Sequence, residues 1–300
     1  MREITLEELL EAGCHFGHQV TRQNPKARDF VFEARDNIHI IDLAKTKEGL
    51  DSAALFVKNL AKKGGTMIVL GSKRQAEPVV REEAIRIKEA GVDGLYFVTN
   101  RWIGGILTNF GEVSKNFKKL QDLNKFMNTP SERARFKKKE IAVMEKARLK
   151  LESFYWGVLD MPTVPQAVFV IDTHKEYIAV REAIATNITT VGITDTNSDP
   201  TLINYPIPAN DDAAGSVKLL VNHIIDAWIE GRKEMGTEEA EPAKKEKKVV
   251  KEEVVADKKV AVESKDTKET AVKKEVKPAE KKTEEKVKKV TKAPKKAAAK

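Results

Sequence analysis

Short apolar runs recur along this chain at a spacing that a sheet with connecting helices accommodates. Ile38 to Leu43, Thr66 to Leu70, Leu95 to Val98, Gln166 to Ile171 and Thr189 to Ile193 are each four to six residues long, which is strand length and well short of a helix. Lys45 to Lys62, the stretch from Ala76 through Lys88, and His174 to Thr186 instead repeat their apolar residues at helical spacing. Strand and helix alternating at this rhythm predict an α/β fold, a parallel sheet covered by helices on both faces. Right-handed crossovers leave few topologies for it.

In such a sheet the loops after the strands gather at the carboxyl edge, where ligands usually bind. Here they are Gly71-Ser72-Lys73-Arg74, Asn100-Arg101-Trp102, Asp172-Thr173-His174-Lys175, Asp195-Thr196-Asn197-Ser198-Asp199-Pro200 and, after Pro206-Ile207-Pro208, Asn210-Asp211-Asp212. They are rich in hydrogen-bonding and charged groups, so the edge could serve a polyanion mount or an enzyme gripping a phosphate. There is no Walker lysine motif, no dinucleotide glycine fingerprint and no nucleophile elbow, which argues against the enzyme.

The alternation is interrupted between residues 101 and 156. Apolar residues continue at helical spacing through Phe110, Val113, Phe117, Leu120, Leu123 and Phe126, and again through Ile141, Met144, Leu151 and Tyr155. Each helix has one narrow apolar face, so the pair is expected to fold back as an antiparallel hairpin. Thr129-Pro130-Ser131-Glu132 has the residues of a capping box with proline at the first helical position, which sets the expected start of the second helix there. Residues 101 to 150 hold 13 lysines and arginines against 5 acids, whereas residues 1 to 100 balance at 15 against 15. The excess cannot fit on the narrow apolar faces and must project into solvent, where it suits phosphate contacts. A merely solvated helical face has the same composition. Trp102, at the hairpin root, is expected to pack the hairpin against the sheet rather than to stack on a base.

From Thr237 to Lys300 the composition changes to 21 lysines and 14 acids with no aromatic residue. Too little apolar surface is present to offset ordering entropy, so 237–300 is expected to be a disordered tail. Its lysines suit weak, salt-sensitive contact with RNA. Three segments follow: a discontinuous sheet domain, 1–100 with 157–236; the inserted hairpin, 101–156; and the tail. A single cysteine, Cys14, fits a reducing compartment and is expected to be a small buried residue. An acidic N-terminal stretch and the lack of a long apolar run predict a soluble, cytoplasmic protein without a membrane span. On spacing alone, Ala12-Gly13-Cys14-His15-Phe16-Gly17-His18, which follows a helix from Leu6 to Glu11 boxed by Thr5 and Glu8, reads as a tight turn with hydrogen-bonded histidines.

Five motifs fall in the order seen in one family. They are His15-Phe16-Gly17-His18, Gly71-Ser72-Lys73-Arg74-Gln75-Ala76, Arg101-Trp102-Ile103-Gly104-Gly105 with Leu107-Thr108-Asn109, Asp195-Thr196-Asn197-Ser198-Asp199-Pro200, and Asn210-Asp211-Asp212-Ala213. Together they resemble universal small-subunit ribosomal protein two over residues 6 to 235, in the bacterial or organellar form that carries a long hairpin. The resemblance implies a flavodoxin-like doubly wound parallel sheet with an inserted antiparallel coiled-coil hairpin. It also implies a structural, non-enzymatic role on small-subunit ribosomal RNA between head and body. Neighbours would be other small-subunit ribosomal proteins, small-subunit protein one among them, with no stand-alone homo-oligomer. Two features depart from the family pattern: Pro162-Thr163-Val164 stands where many bacterial relatives are basic, and the tail exceeds the usual length.

Under that reading Lys26, Arg28, Lys73, Arg74 and Arg101 are expected phosphate contacts on the sheet domain, with Lys118, Lys119, Arg135, Lys137, Lys138 and Lys139 on the hairpin. No cofactor is required. Asp195, Asp211 and Asp212 end consecutive strands and could hold a cation with His15 or His18 as nitrogen ligand. The same acids could instead cap the helices that begin near Asp199 and Asp212. The resemblance favours a structural divalent ion, Zn or Mg, near the surface where protein one docks.

Overall fold

The computed structural model describes residues 2–235, and the tail expected at 237–300 lies outside the described residues. Helix α1 (Leu6–Glu11) starts as its sequence predicts. The Thr5 hydroxyl accepts from the Glu8 amide at 3.2 Å, and the Glu8 carboxylate accepts from the Thr5 amide at 3.1 Å.

The next segment corrects the sequence reading. Strands β1 (Phe16–Gln19), β2 (Val31–Arg35) and β3 (Ile38–Ile41) form a separate antiparallel sheet of order β1-β3-β2. The run from Ile38, expected to open the parallel sheet, therefore belongs elsewhere; of the expected histidine turn, Ala12 to His15 is turn, while Phe16 to His18 belongs to β1. A two-residue loop, Asp36-Asn37, joins β2 to β3 with both residues at positive φ, 50° and 65°. This is the primed turn that matches strand twist, and Asp-Asn suits it. The turn chemistry is local; the choice of sheet is not.

The main sheet contains β4 (Met67–Leu70), β5 (Leu95–Val98), β6 (Ala167–Ile171), β7 (Thr189–Thr194) and β8 (Tyr205–Pro208). All pairings are parallel, in the order β5-β4-β6-β7-β8. Counting from β4, this is 2-1-3-4-5, the flavodoxin-like arrangement, with its switch point between β4 and β6. The connecting helices are α2 (Leu43–Lys62), α3 (Ala76–Glu89) and α7 (Tyr177–Ala185), and a further helix, α8, covers 214–235. Asp42 caps α2, its carboxylate accepting from the Ala44 amide at 3.0 Å.

Both faces of the sheet are buried, which is why its strands read as continuous apolar runs. Met67, Val69, Phe169, Ile171, Val191 and Ile193 point into a core shared with Leu50, Val57, Val221 and Trp228. Ile68, Leu70, Val168 and Val170 point the other way, toward Trp102, Ile106, Phe117, Leu120 and Tyr155. The second group belongs to the hairpin and its root, so the insertion, together with Ala179, Val180 and Ala183, covers that face of the sheet. The edge strands are guarded. On β8, Pro206 and Pro208 remove donors that could recruit another strand. On β5, the amide of Phe97 donates to the Gly157 carbonyl at 2.9 Å, where the chain returns from the hairpin.

The hairpin comprises α4 (Phe110–Asn128), α5 (Pro130–Arg133) and α6 (Lys138–Tyr155). The two long helices are antiparallel, with Phe117 edge-on to Tyr155 at 5.2 Å and Arg148 donating to Asn124 at 3.4 Å. A helical turn, α5, does begin at Pro130 after Thr129, but without the side-chain bonds of a capping box, and it ends at Arg133. The Thr129 hydroxyl donates back to the Lys125 carbonyl at 2.9 Å, and α6 starts at Lys138, where Glu140 accepts from the Lys137 amide at 2.9 Å. Phe136 meets Phe126 edge-on at 5.1 Å across the broken turn at the tip.

Candidate functional site

Five of the elements just described deliver one side chain or more to the carboxyl edge of the sheet. Lys73 comes from the loop after β4, Asp172 from β6, Asp195 from β7, Asp211 and Asp212 from β8, and His18 from β1. The Lys73 ammonium lies 2.6 Å from Asp212, 2.8 Å from Asp211 and 3.2 Å from Asp172. His18 Nδ1 is 3.0 Å from Asp195 Oδ2, and its Nε2 is 3.5 Å from Asp212 and 3.2 Å from the Asn197 amide. Asp172 sits at positive φ, 74°, and its carboxylate accepts from the Lys175 amide at 2.8 Å.

Charge is unbalanced here: Asp172, Asp211 and Asp212 face the one ammonium of Lys73, and Asp195 faces His18. Burial and the fields of Asp172 and Asp195 push the Asp211 carboxyl up to about 7, although Lys73 pulls the other way. Burial acts to lower the Lys73 ammonium, but the combined attraction of Asp211, Asp212 and Asp172 outweighs it and holds it well above the ordinary lysine range. Pairing with Asp195 raises His18 against the effect of its burial. Asp211 Oδ2 is buried without a hydrogen bond. One ligand atom each from His18, Asp195 and Asp211 lie within 4.8 Å of one another, close enough for one cation to span. An imidazole with carboxylates suits a divalent ion that accepts nitrogen and oxygen donors.

His15 is outside this group. Its ring packs at a tilt against Phe16, centroids 3.9 Å apart, and burial lowers its pKa. The capping alternative holds only in part. Asp199 caps a 3-10 turn by accepting from the Thr201 amide at 3.1 Å, but at the start of α8 it is Asn210, not Asp212, that accepts from the Asp212 and Ala213 amides at 2.7 and 3.1 Å.

The basic residues singled out in the sequence divide into two groups. Lys73 is committed to the acidic cluster, and Lys26 pairs with Asp199 at 2.6 Å while remaining half exposed. Arg28, Arg74, Arg101, Lys118, Lys119, Arg135, Lys137, Lys138 and Lys139 are exposed. Trp102 is only 4% exposed, which closes its face to a base. Sequence reasoning missed Asp172 and the binding of Lys73, since nothing local predicts that a basic loop residue will face three acids from distant strands. The shared carboxyl-edge position was the available signal.

A family model described as ribosomal protein S2 matches residues 9–231.

Proposed function

The chain belongs to the ribosomal protein S2 family and is a small-subunit ribosomal protein; from that premise we propose that it binds ribosomal RNA through the hairpin and performs no chemistry. The observation that supports this most is the distribution of charge. Lys118, Lys119, Arg135, Lys137, Lys138 and Lys139 on the hairpin are all exposed, and among the described residues none of them forms an ion pair, so their charge is available to phosphate. The sheet serves as a rigid mount between head and body, in the bacterial type of the family, in the cytoplasm. An enzyme gripping a phosphate is disfavoured, because the lysine of its candidate loop is already held by three carboxylates. The test is filter binding to small-subunit ribosomal RNA across a salt series. Replacing Lys137, Lys138 and Lys139 by glutamine should reduce the salt slope by roughly 0.7–0.9 for each phosphate that is no longer neutralised. An unchanged slope would remove the hairpin from the interface.

Neighbouring proteins, with small-subunit protein one foremost, are assigned to the N-terminal antiparallel sheet. Phe16 and Phe32 are 49% and 71% exposed there, apolar surface that suits a protein partner. The neighbouring His18, Asp195 and Asp211 group is read as a structural divalent-cation site, Zn or Mg, with Asp212 alongside. A cation there would offset the carboxylate excess and tie β1 to the loops after β7 and β8. Elemental analysis of purified wild type and Asp211→Ala tests this, and equal metal content in both would strike Asp211 from the ligands.

A further inference from the structure

The root of the hairpin contains a carboxylate that, among the described residues, no cation pairs with. Glu182, on α7, points its carboxylate into the loop from Trp102 to Thr108. One oxygen accepts from the Gly105 amide at 2.7 Å and from Trp102 Nε1 at 3.3 Å. The other accepts from the Leu107 and Thr108 amides at 3.2 and 3.4 Å and from the Thr108 hydroxyl at 3.3 Å. Among the described residues Glu182 forms no ion pair. Convergent backbone amides of this kind form a nest, a concavity with partial positive charge that binds anions. Gly105 is at φ 96°, a conformation that side-chain-bearing residues rarely adopt, and this bend lets the amides converge.

The consequences reach the arm directly. Asn109 donates to the Gly105 carbonyl at 2.8 Å, and Val113 donates to the Asn109 carbonyl at 3.2 Å, so the nest leads without a break into the first turn of α4. The other root, after α6, is fastened separately where Gly157 meets Phe97 on the edge of the sheet. A two-helix arm rooted at both ends has its bearing set by both fastenings.

We propose that Glu182 is the positioning residue of the arm, an internal anion that fills the nest at the root of α4 and fixes the direction in which the hairpin meets RNA. The part concerning RNA rests on the function proposed above; the part concerning arm direction does not. Glu182→Gln keeps the size of the side chain but turns one acceptor into a donor facing donors. Glu182→Ala empties the nest.

The experiment places spin labels on the full chain at Lys139→Cys and Asp51→Cys, with Cys14→Ala as background, and measures the distance distribution between them. Wild type should give one narrow distribution. Both Glu182 variants should broaden it while circular dichroism still reports a folded sheet, and added formate should narrow it again in the Ala variant by refilling the nest. Affinity for small-subunit ribosomal RNA should fall roughly tenfold in Glu182→Gln at an unchanged salt slope, because the same phosphates are engaged by a less preorganised arm. An unchanged distribution in Glu182→Gln overturns the proposal, as does failure of formate to narrow the Ala variant. If Glu182→Ala does not fold, the Gln variant and Thr108→Val, which removes one donor, carry the test. If the distributions behave as stated but the wild-type chain does not bind the RNA, arm positioning stands and the RNA reading fails.

Discussion

Replacing Lys73 by methionine should be among the most damaging single changes to this fold, and its damage should depend on pH in a definite direction. Methionine keeps most of the length and packing of the side chain, so what is removed is the ammonium that faces Asp211, Asp212 and Asp172 at 2.6 to 3.2 Å. Asp211 is buried and Asp172 nearly so. Removing one partner from a buried charge cluster costs about 3–5 kcal/mol, and for a folded region of this size that lowers Tm by roughly 6–20 °C. Asp211 sets the pH dependence. Its folded pKa of about 7 lies above its ordinary value of 3.8, so the native state binds more protons than the unfolded state between those values. Stability therefore falls as pH rises from near 4 through 7. Without Lys73 the folded pKa of Asp211 should rise further, so the fall should continue to higher pH; the ionised form of Asp211 loses its main compensation, while the protonated form at lower pH is spared. Urea unfolding of wild type and Lys73→Met, with chelator present, at pH 8 and pH 5.5 measures both effects. A loss under about 1 kcal/mol at pH 8, or an equal loss at the two pH values, would refute the account of the cluster.

Four further expectations can be checked separately. Gly157→Ala puts a methyl group against the Phe97 carbonyl where the arm returns to the edge strand; it should cost about 1–3 kcal/mol by denaturant melts and raise hydrogen exchange at β5. Phe169→Ala, in the middle of the sheet and fully buried, should lose about 3–5 kcal/mol, and a smaller loss would mean that the core collapses around the gap. Adding a divalent cation at about 100 times its Kd should stabilise chelator-treated wild type by about 2.7 kcal/mol in thermal melts. Asp195→Asn should abolish that gain, and a persisting gain would place the ion elsewhere.

Much of this protein can be read from local sequence, and the rest cannot for identifiable reasons. The β4, β5, β6 and β7 runs, the capping box at Thr5 and Glu8, and the existence of two antiparallel basic helices follow from periodicity and capping chemistry, because those features are decided within a few residues. The start of α6 does not: the local signal starts only the one-turn α5, and α6 begins at Lys138, beyond a tip where Phe126 and Phe136 meet edge-on. Ile38 to Ile41 reads as a strand in any context, but whether it joins the parallel sheet or pairs with β1 and β2 depends on partners distant in the chain. The acidic loop residues and Lys73 were visible as polar groups at one edge. Only the tertiary structure put the ammonium among the carboxylates, left His15 outside the group, and set Glu182 of α7 into the nest that roots the arm. Apolar period and turn chemistry are local quantities, so the sequence alone settles β4 to β7, α1 and the two long hairpin helices. Charge balance at a site is a sum over elements that meet only on folding, and it became readable only once they had met.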